Sequence, residues 1–168
     1  LLCDRTAIYG EGISVLVSGL FFGLFHGNLN QFAYAFVIGS VFAYVYVKTR
    51  NIWYTIALHM LINFFGSIVS LGILKLANLD VLLNGTVSAE EMMLSPENII
   101  GVLIFLGYSF VILAMVITGI ILFCVNLKKI QLNRTELSVP KGERFKTYFL
   151  NSGMILFIIA GIIRIILQ

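Results

Sequence analysis

Charged residues are scarce in this chain of 168 residues. Asp, Glu, Lys and Arg together make up 11% of it, whereas an ordinary soluble domain carries about 25%. Hydrophobic residues make up 60%, and the mean hydropathy is +1.01. This composition excludes an ordinary soluble domain and predicts an integral membrane protein.

Cysteine is also rare. Cys3 lies near the N-terminal end and Cys124 lies inside an apolar run, so the sequence contains neither a disulfide framework nor a cysteine-based metal site. The formal net charge is only +3, and most of the basic residues lie in loops beside apolar runs. That arrangement fits membrane topology, and no basic patch with interleaved aromatics indicates a nucleic-acid partner.

Five apolar runs account for most of the sequence. They are long and do not alternate with polar residues. Backbone groups in hydrocarbon must be paired internally, so such runs predict helices and not barrel strands. We therefore expect an all-α fold, a polytopic bundle of about five transmembrane helices that forms one membrane domain over 1–168. The runs cover 13–26, 32–47, 52–76, 99–125 and 148–167.

The loops between the runs alternate in charge. The loop at 48–50 is basic, the loop at 77–97 is acidic, and the connector at 128–147 is basic again. Cytosolic loops of membrane proteins carry the excess of Lys and Arg. We therefore expect the two basic segments on the cytosolic side and the acidic loop outside.

The chain has only two histidines, and both lie in apolar runs. An ionisable side chain at membrane depth is costly, so His26 and His59 are candidate functional residues. The run at 13–26 is only about 21 Å long as a helix, short of the roughly 30 Å hydrocarbon core. The polar segment 26–31 that follows it is a candidate cavity wall. An ordinary extracytoplasmic loop is the alternative for this segment.

Two pairs of residues are predicted to share a helix face because their members are four residues apart. His59 and Asn63 are four residues apart and therefore share one helix face, and Phe22 lies one turn below His26. We expect both histidines and Asn63 to converge, where they could orient a water, bind a metal or donate to an oxyanion. Alternatively, they hydrogen-bond across packed helices for roughly 0.6 to 2 kcal/mol each and do nothing more.

A general base is missing from this constellation. No carboxylate lies inside the apolar runs, and HExxH and GxSxG motifs are absent. Two imidazoles alone supply a weak metal site or a partial acid/base pair. The cofactor is therefore unknown: one divalent metal such as zinc on His26 and His59, and no metal at all, both stay open.

Phe22-x3-His26 followed by His59-x3-Asn63, with a Tyr-Val-Lys-Thr-Arg turn between them, resembles the CPBP family of intramembrane proteases. This family, also called Abi, contains CAAX proteases and bacteriocin-processing enzymes. The resemblance covers 1–72, while 98–168 carries additional transmembrane helices. The family's first motif, Glu-Glu-x3-Arg, is absent, which we interpret as the sign of a fragment that begins after it.

The resemblance implies an intramembrane endopeptidase that acts on peptide or prenylated-protein-like substrates at the lipid bilayer. It implies that His26 holds the water that the missing Glu activates, and that His59 and Asn63 stabilise the oxyanion. A metalloendopeptidase and a metal-free glutamate mechanism both stay open, and the fragment alone is expected to be inactive. The expected location is a bacterial plasma membrane, with several passes. The alternatives are a non-catalytic scaffold or bacteriocin immunity protein of the same fold, and a transporter fragment.

Overall fold

A computed structural model describes residues 2–79, 84–85, 88, 90, 96–133, 139–140 and 142–167. Within these ranges the regular structure is helical and contains no strand, which confirms the all-α class. The α-helices are α1 Leu2–Ala7, α2 Glu11–Phe25, α3 Leu29–Thr49, α4 Ile52–Asn63, α5 Ser70–Leu76, α6 Pro96–Asn126, α7 Arg144–Phe149 and α8 Ser152–Ile166. A π-helical stretch, Phe64–Val69, joins α4 to α5, and a 3-10 turn, Leu127–Lys129, follows α6.

The five predicted apolar runs are helical over most of their length, and the fifth is interrupted at Leu150 and Asn151 between α7 and α8. In the part of the chain that the structure describes, three helical stretches are long and apolar enough to cross a membrane: Leu29–Thr49, Ile52–Leu76 and Asn98–Lys129. The other two runs form α2 and α8, each of 15 residues. At 1.5 Å per residue these two are about 22 Å long, shorter than the roughly 30 Å hydrocarbon core.

The chain divides into two compact units. The first consists of Leu1–Leu58 and Leu132–Gln168, and the second of His59–Gln131. The single membrane domain predicted for 1–168 stays a prediction. Most of the acidic loop at 77–97 lies outside the described residues, so its side of the membrane stays a prediction too.

The closest helix pair in the first unit is α2 against α3. A Cβ atom built on Gly39 would lie 2.5 Å from the Cβ of Phe22, so only glycine permits this approach of the two backbones. Helices in lipid associate through such close packing, because lipid tails are as apolar as the side chains. Small buried residues one turn apart line the contact: Gly19 and Gly23 on α2, and Ala35, Gly39 and Ala43 on α3.

A buried carboxylate ties the first residue of α2 to two other segments. Glu11, which precedes the apolar run, accepts hydrogen bonds from the Lys48 ammonium and, at 2.8 Å, from the backbone N–H of Asn133. Its own backbone N–H donates to the carbonyl oxygen of Asn133 at 3.1 Å. Burial raises the pKa of Glu11, but the hydrogen bonds from Lys48 and Asn133 outweigh it, so the pKa lies below its ordinary value. This end of the first unit is therefore fixed by an ionised group.

In the same unit α8 runs parallel to α2. The rings of Phe21 and Phe157 stack with centroids 3.8 Å apart. Further along both helices, a Cβ built on Gly161 would lie 3.2 Å from the Leu24 side chain. Because the contacts advance in the same direction on both helices, their C-terminal ends lie at the same end of the unit.

In the second unit, α6 meets the residues that follow α5. A Cβ built on Gly101 would lie 2.5 Å from the Cα of Ala77. Next to this contact the Asn78 side chain donates to the Asn98 side chain at 2.7 Å. Beyond this point the faces of α6 are apolar and largely exposed, as expected for a helix in contact with lipid.

Candidate active site

His26 follows the last residue of α2 and has a fixed tautomer. Its Nδ1 lies 2.7 Å from the carbonyl oxygen of Phe22. A carbonyl oxygen can only accept, so Nδ1 carries the proton of this hydrogen bond. In the neutral ring, Nε2 is then the atom with a lone pair for a water, a proton or a metal. The Phe22 ring lies 4.9 Å from the imidazole between centroids, one turn below it as the spacing predicts.

The polar segment after α2 is a tight turn. Gly27 has a φ of +64°, a left-handed conformation that glycine adopts without steric cost. The side chain of Asn28 accepts a hydrogen bond at 2.9 Å from the backbone N–H of Asn30. This N-cap starts α3 immediately, so His26 lies in the short connection between two helices of one unit.

Arg164 on α8 lies against this turn. Its Nη1 donates to the carbonyl oxygen of Phe25 at 3.2 Å, and a Cβ built on Gly27 would lie 2.5 Å from its Nε. The last carbonyls of an α-helix lack partners within the helix, and a cation is favourable there. Arg164 is not among the residues that the motif spacing predicts. The signal that would have found it is a single charged residue in an otherwise apolar run.

His59 and Asn63 lie four residues apart on the regular helix α4 and so share a face, as predicted. His59 is half-buried and Asn63 is exposed. Both belong to the second unit, whereas Phe22 and His26 belong to the first. The structure thus brings Phe22 together with His26, and it places His59 and Asn63 on one helix. The convergence of the two pairs stays a prediction.

The helix geometry changes directly after Asn63. Phe64–Val69 is π-helical, a wider turn that occurs often at functional sites. The hydroxyl of Tyr108, on α6, donates a hydrogen bond to the carbonyl oxygen of Phe65 within this stretch. Tyr108 therefore supports the segment that follows the His59-x3-Asn63 motif, and sequence spacing gives no signal for it.

The described ranges contain no cluster of three His, Cys, Asp or Glu side chains that could hold a metal ion. A catalytic zinc site usually has three protein ligands and a water, so His26 and His59 do not complete one within this part of the chain. Glu11 does not supply the missing base at His26 either. It begins α2, whereas His26 follows the end of that helix, and it is paired with Lys48.

The three helical stretches that can cross a membrane, one of which carries His59, define a multi-pass membrane protein over the described residues. Residues 2–65 match the model of a family described as type II CAAX prenyl endopeptidase Rce1-like. The match includes Phe22, His26, His59 and Asn63. The resemblance to CAAX proteases that the two motifs predict is therefore confirmed over these residues.

A curated relative agrees with this match. "Putative membrane peptidase YdiL" of Bacillus subtilis (strain 168) is 34% identical over 70 residues. The alignment covers 42% of this chain and 28% of the relative, so the chain spans less than a third of the relative's length. No solved structure matches the chain.

Proposed function

We propose that this chain is part of an intramembrane endopeptidase of the CAAX-protease type. The observation that carries the proposal is the presence of two motifs inside the segment 2–65 that matches the family model. Phe22-x3-His26 lies at the C-terminal end of α2, and His59-x3-Asn63 lies on α4. The name of the bacterial relative, a membrane peptidase, supports the same reaction class. The proposed substrate is a peptide or prenylated-protein-like chain that reaches the site from the bilayer of a bacterial plasma membrane.

In the proposed reaction His26 holds the attacking water. Its Nδ1 proton is engaged by the Phe22 carbonyl, so Nε2 accepts a hydrogen bond from the water and orients it. Removal of the water's proton requires a general base within hydrogen-bond reach. The family resemblance assigns that step to a glutamate of a Glu-Glu-x3-Arg motif, which this sequence does not contain.

His59 and Asn63 are the proposed oxyanion donors. Attack of the water on the peptide carbonyl places a negative charge on the carbonyl oxygen. An imidazole N–H and a carboxamide N–H on one helix face can both donate to that oxygen. In a low-dielectric site these interactions are stronger than in water. Loss of one such donor typically costs about 10² to 10³ in rate.

A non-catalytic immunity or scaffold protein of the same fold is the second candidate. One observation favours it: no base is provided beside His26. This sequence contains no Glu-Glu-x3-Arg motif, and Glu11 lies at the opposite end of α2 from His26. Such a protein would keep the helices and their packing, and substitution of its histidines would change no chemistry. The following experiment separates the two candidates.

The test is cleavage of a membrane-delivered peptide library by the full-length protein. Asn63→Ala is expected to lower kcat/KM by about 10² to 10³, and His26→Ala and His59→Ala by more. Phe110→Leu changes an exposed side chain on α6 and serves as the control, with turnover expected within a few-fold. Unchanged turnover in both histidine variants would refute the proposed site.

Two further arms address the base and the metal. Residues 1–168 alone are expected to be inactive because no group removes the water's proton, and cleavage by this chain would contradict that argument. Turnover of the full-length protein that persists with a chelator favours the carboxylate mechanism. Turnover that is lost with the chelator and restored by zinc favours a metal whose ligand set extends beyond the two histidines.

A further inference from the structure

Arg164 is the only charged side chain on α8, a helix that is otherwise almost wholly apolar. Desolvation of a guanidinium is costly unless an anion or several acceptors compensate it. The Phe25 carbonyl engages one of its N–H donors, and no carboxylate in the described part of the chain pairs with it. Arg164 is exposed on the surface of the helix, so the protein compensates its charge only in part.

The side chain of Arg164 is exposed but lies against the protein. Glu11 and Lys48 mark one polar end of the first unit, and α2 rises by about 21 Å from Glu11 to Phe25. Arg164 contacts Phe25, so it lies near the other end of α2, beside the turn that leads into α3. Its side chain lies along Gly27 instead of extending away from the protein, as a snorkelling side chain would.

The contacts of Arg164 are made on both sides of the candidate catalytic histidine. Phe25 precedes His26 and Gly27 follows it. The guanidinium is thus anchored to the turn that carries His26, with several of its five N–H donors still available. Two parallel N–H donors of a guanidinium match the two oxygens of a carboxylate, and the resulting charged hydrogen bonds are among the strongest in proteins.

We propose that Arg164 binds a carboxylate of the peptide substrate and so sets the position of the peptide relative to His26. This inference rests on the proposed endopeptidase function. A lipid phosphate is the other anion that a bilayer offers. The peptide is favoured because Arg164 is held against the turn that carries the proposed catalytic residue.

The experiment compares three peptides of one sequence, cleaved by the full-length protein in zwitterionic vesicles. The first is amidated and neutral, the second has a free C-terminal carboxylate, and the third is amidated with one Gln replaced by Glu. The wild-type protein is expected to cleave at least one acidic peptide about 10- to 100-fold better than the neutral one, mainly through KM. Arg164→Gln is expected to bring this ratio close to one, and Arg164→Lys to restore part of it.

Arg50→Gln is the matched control. Arg50 follows the last residue of α3 and pairs with Asp4 at 3.5 Å, so its loss should leave the ratio unchanged.

Two outcomes would overturn the inference and leave the proposed function standing. The first is equal cleavage of all three peptides by the wild-type protein, and the second is an equal loss of cleavage on all three peptides in Arg164→Gln. Either one would mean that Arg164 acts only as a helix cap. The same assay is repeated in vesicles that contain anionic lipid. A loss in Arg164→Gln that appears only there, and equally for all peptides, would assign Arg164 to lipid phosphate and overturn the inference. If the wild-type protein cleaves none of them, the proposed function fails and the inference fails with it.

Discussion

The long helix of the first unit, α3, is partly buried against protein, whereas the long helix of the second unit, α6, is largely exposed to its surroundings. In the most apolar window of Leu29–Thr49, 28% of the residues are buried inside the protein. The corresponding windows of Ile52–Leu76 and Asn98–Lys129 have 0% buried. These two exposed stretches nevertheless have the higher mean hydropathy, 1.9 and 2.7 against 1.4. Apolarity alone therefore does not tell which helix packs tightly.

The glycines explain the difference better than hydropathy does. On α3, Gly39 lies so close to Phe22 that a Cβ atom on residue 39 would overlap the Phe22 side chain. On α6, Gly107 and Gly119 have no atom within 4 Å of where a Cβ would lie. Glycine at a helix contact permits close backbone approach, while glycine on an open face only lowers helix propensity. The contact face of α3 and the open face of α6 therefore use the same residue type with different physical consequences.

The largest effect is expected from Gly39→Leu. The new side chain overlaps Phe22, so α2 and α3 must separate, at a cost of about 3 kcal/mol in the free energy of unfolding. Gly107→Leu places the same side chain on an open face of α6 and should stabilise that helix slightly, by up to about 1 kcal/mol. Denaturant titration in detergent micelles measures both variants. Equal changes in the free energy of unfolding for the two variants would contradict the contrast between the contact face of α3 and the open face of α6.

A smaller effect is expected from Glu11→Gln. The substitution removes the buried carboxylate and leaves Lys48 without its counter-charge, which should destabilise the protein by about 2 kcal/mol. Asp4→Asn is the control, because Asp4 lies in an exposed pair with Arg50, where ion pairs contribute little. The same titration applies, and a larger loss in the control than in Glu11→Gln would contradict the assignment of the anchor.

The pH dependence of the wild-type protein follows from the same carboxylate. The pKa of Glu11 is lowered from its ordinary value of 4.5 by Lys48 and Asn133 acting against burial. Its contribution to stability is therefore complete above pH 4.5 and is lost as the pH falls through the folded-state pKa. Unfolding curves collected from pH 7 to pH 3 should show this loss. In Glu11→Gln that part of the decline should be absent.

The smallest effect is expected from Tyr108→Phe in the second unit. Loss of the hydroxyl removes the hydrogen bond to the Phe65 carbonyl and should cost about 1 kcal/mol. If the π-helical stretch positions Asn63, kcat of the full-length protein should also fall while KM stays constant. Ser109→Ala is the control, since the Ser109 hydroxyl bonds only the Phe105 carbonyl of its own helix, at 2.8 Å. Identical kcat and KM values for both variants would show that Tyr108 does not position Asn63.

The sequence predicted the features that depend on local spacing. The helical class and the positions of the apolar runs follow from composition, and the ring of Phe22 below His26 follows from helix periodicity. The contacts that were missed join distant parts of the chain. Glu11 and Asn133 are 122 residues apart, and Phe25 and Arg164 are 139 apart. No local pattern contains such partners, because only the packing of helices brings them together.

The contact between Gly27 and Arg164 has a consequence for how this protein can vary. A β-carbon at position 27 would occupy the space of the guanidinium stem, and the positive φ of Gly27 disfavours other residues there as well. The two positions should therefore change together over evolution. Chains that keep arginine at the position of 164 should keep glycine at the position of 27, and chains with a larger residue at 27 should carry a shorter one at 164.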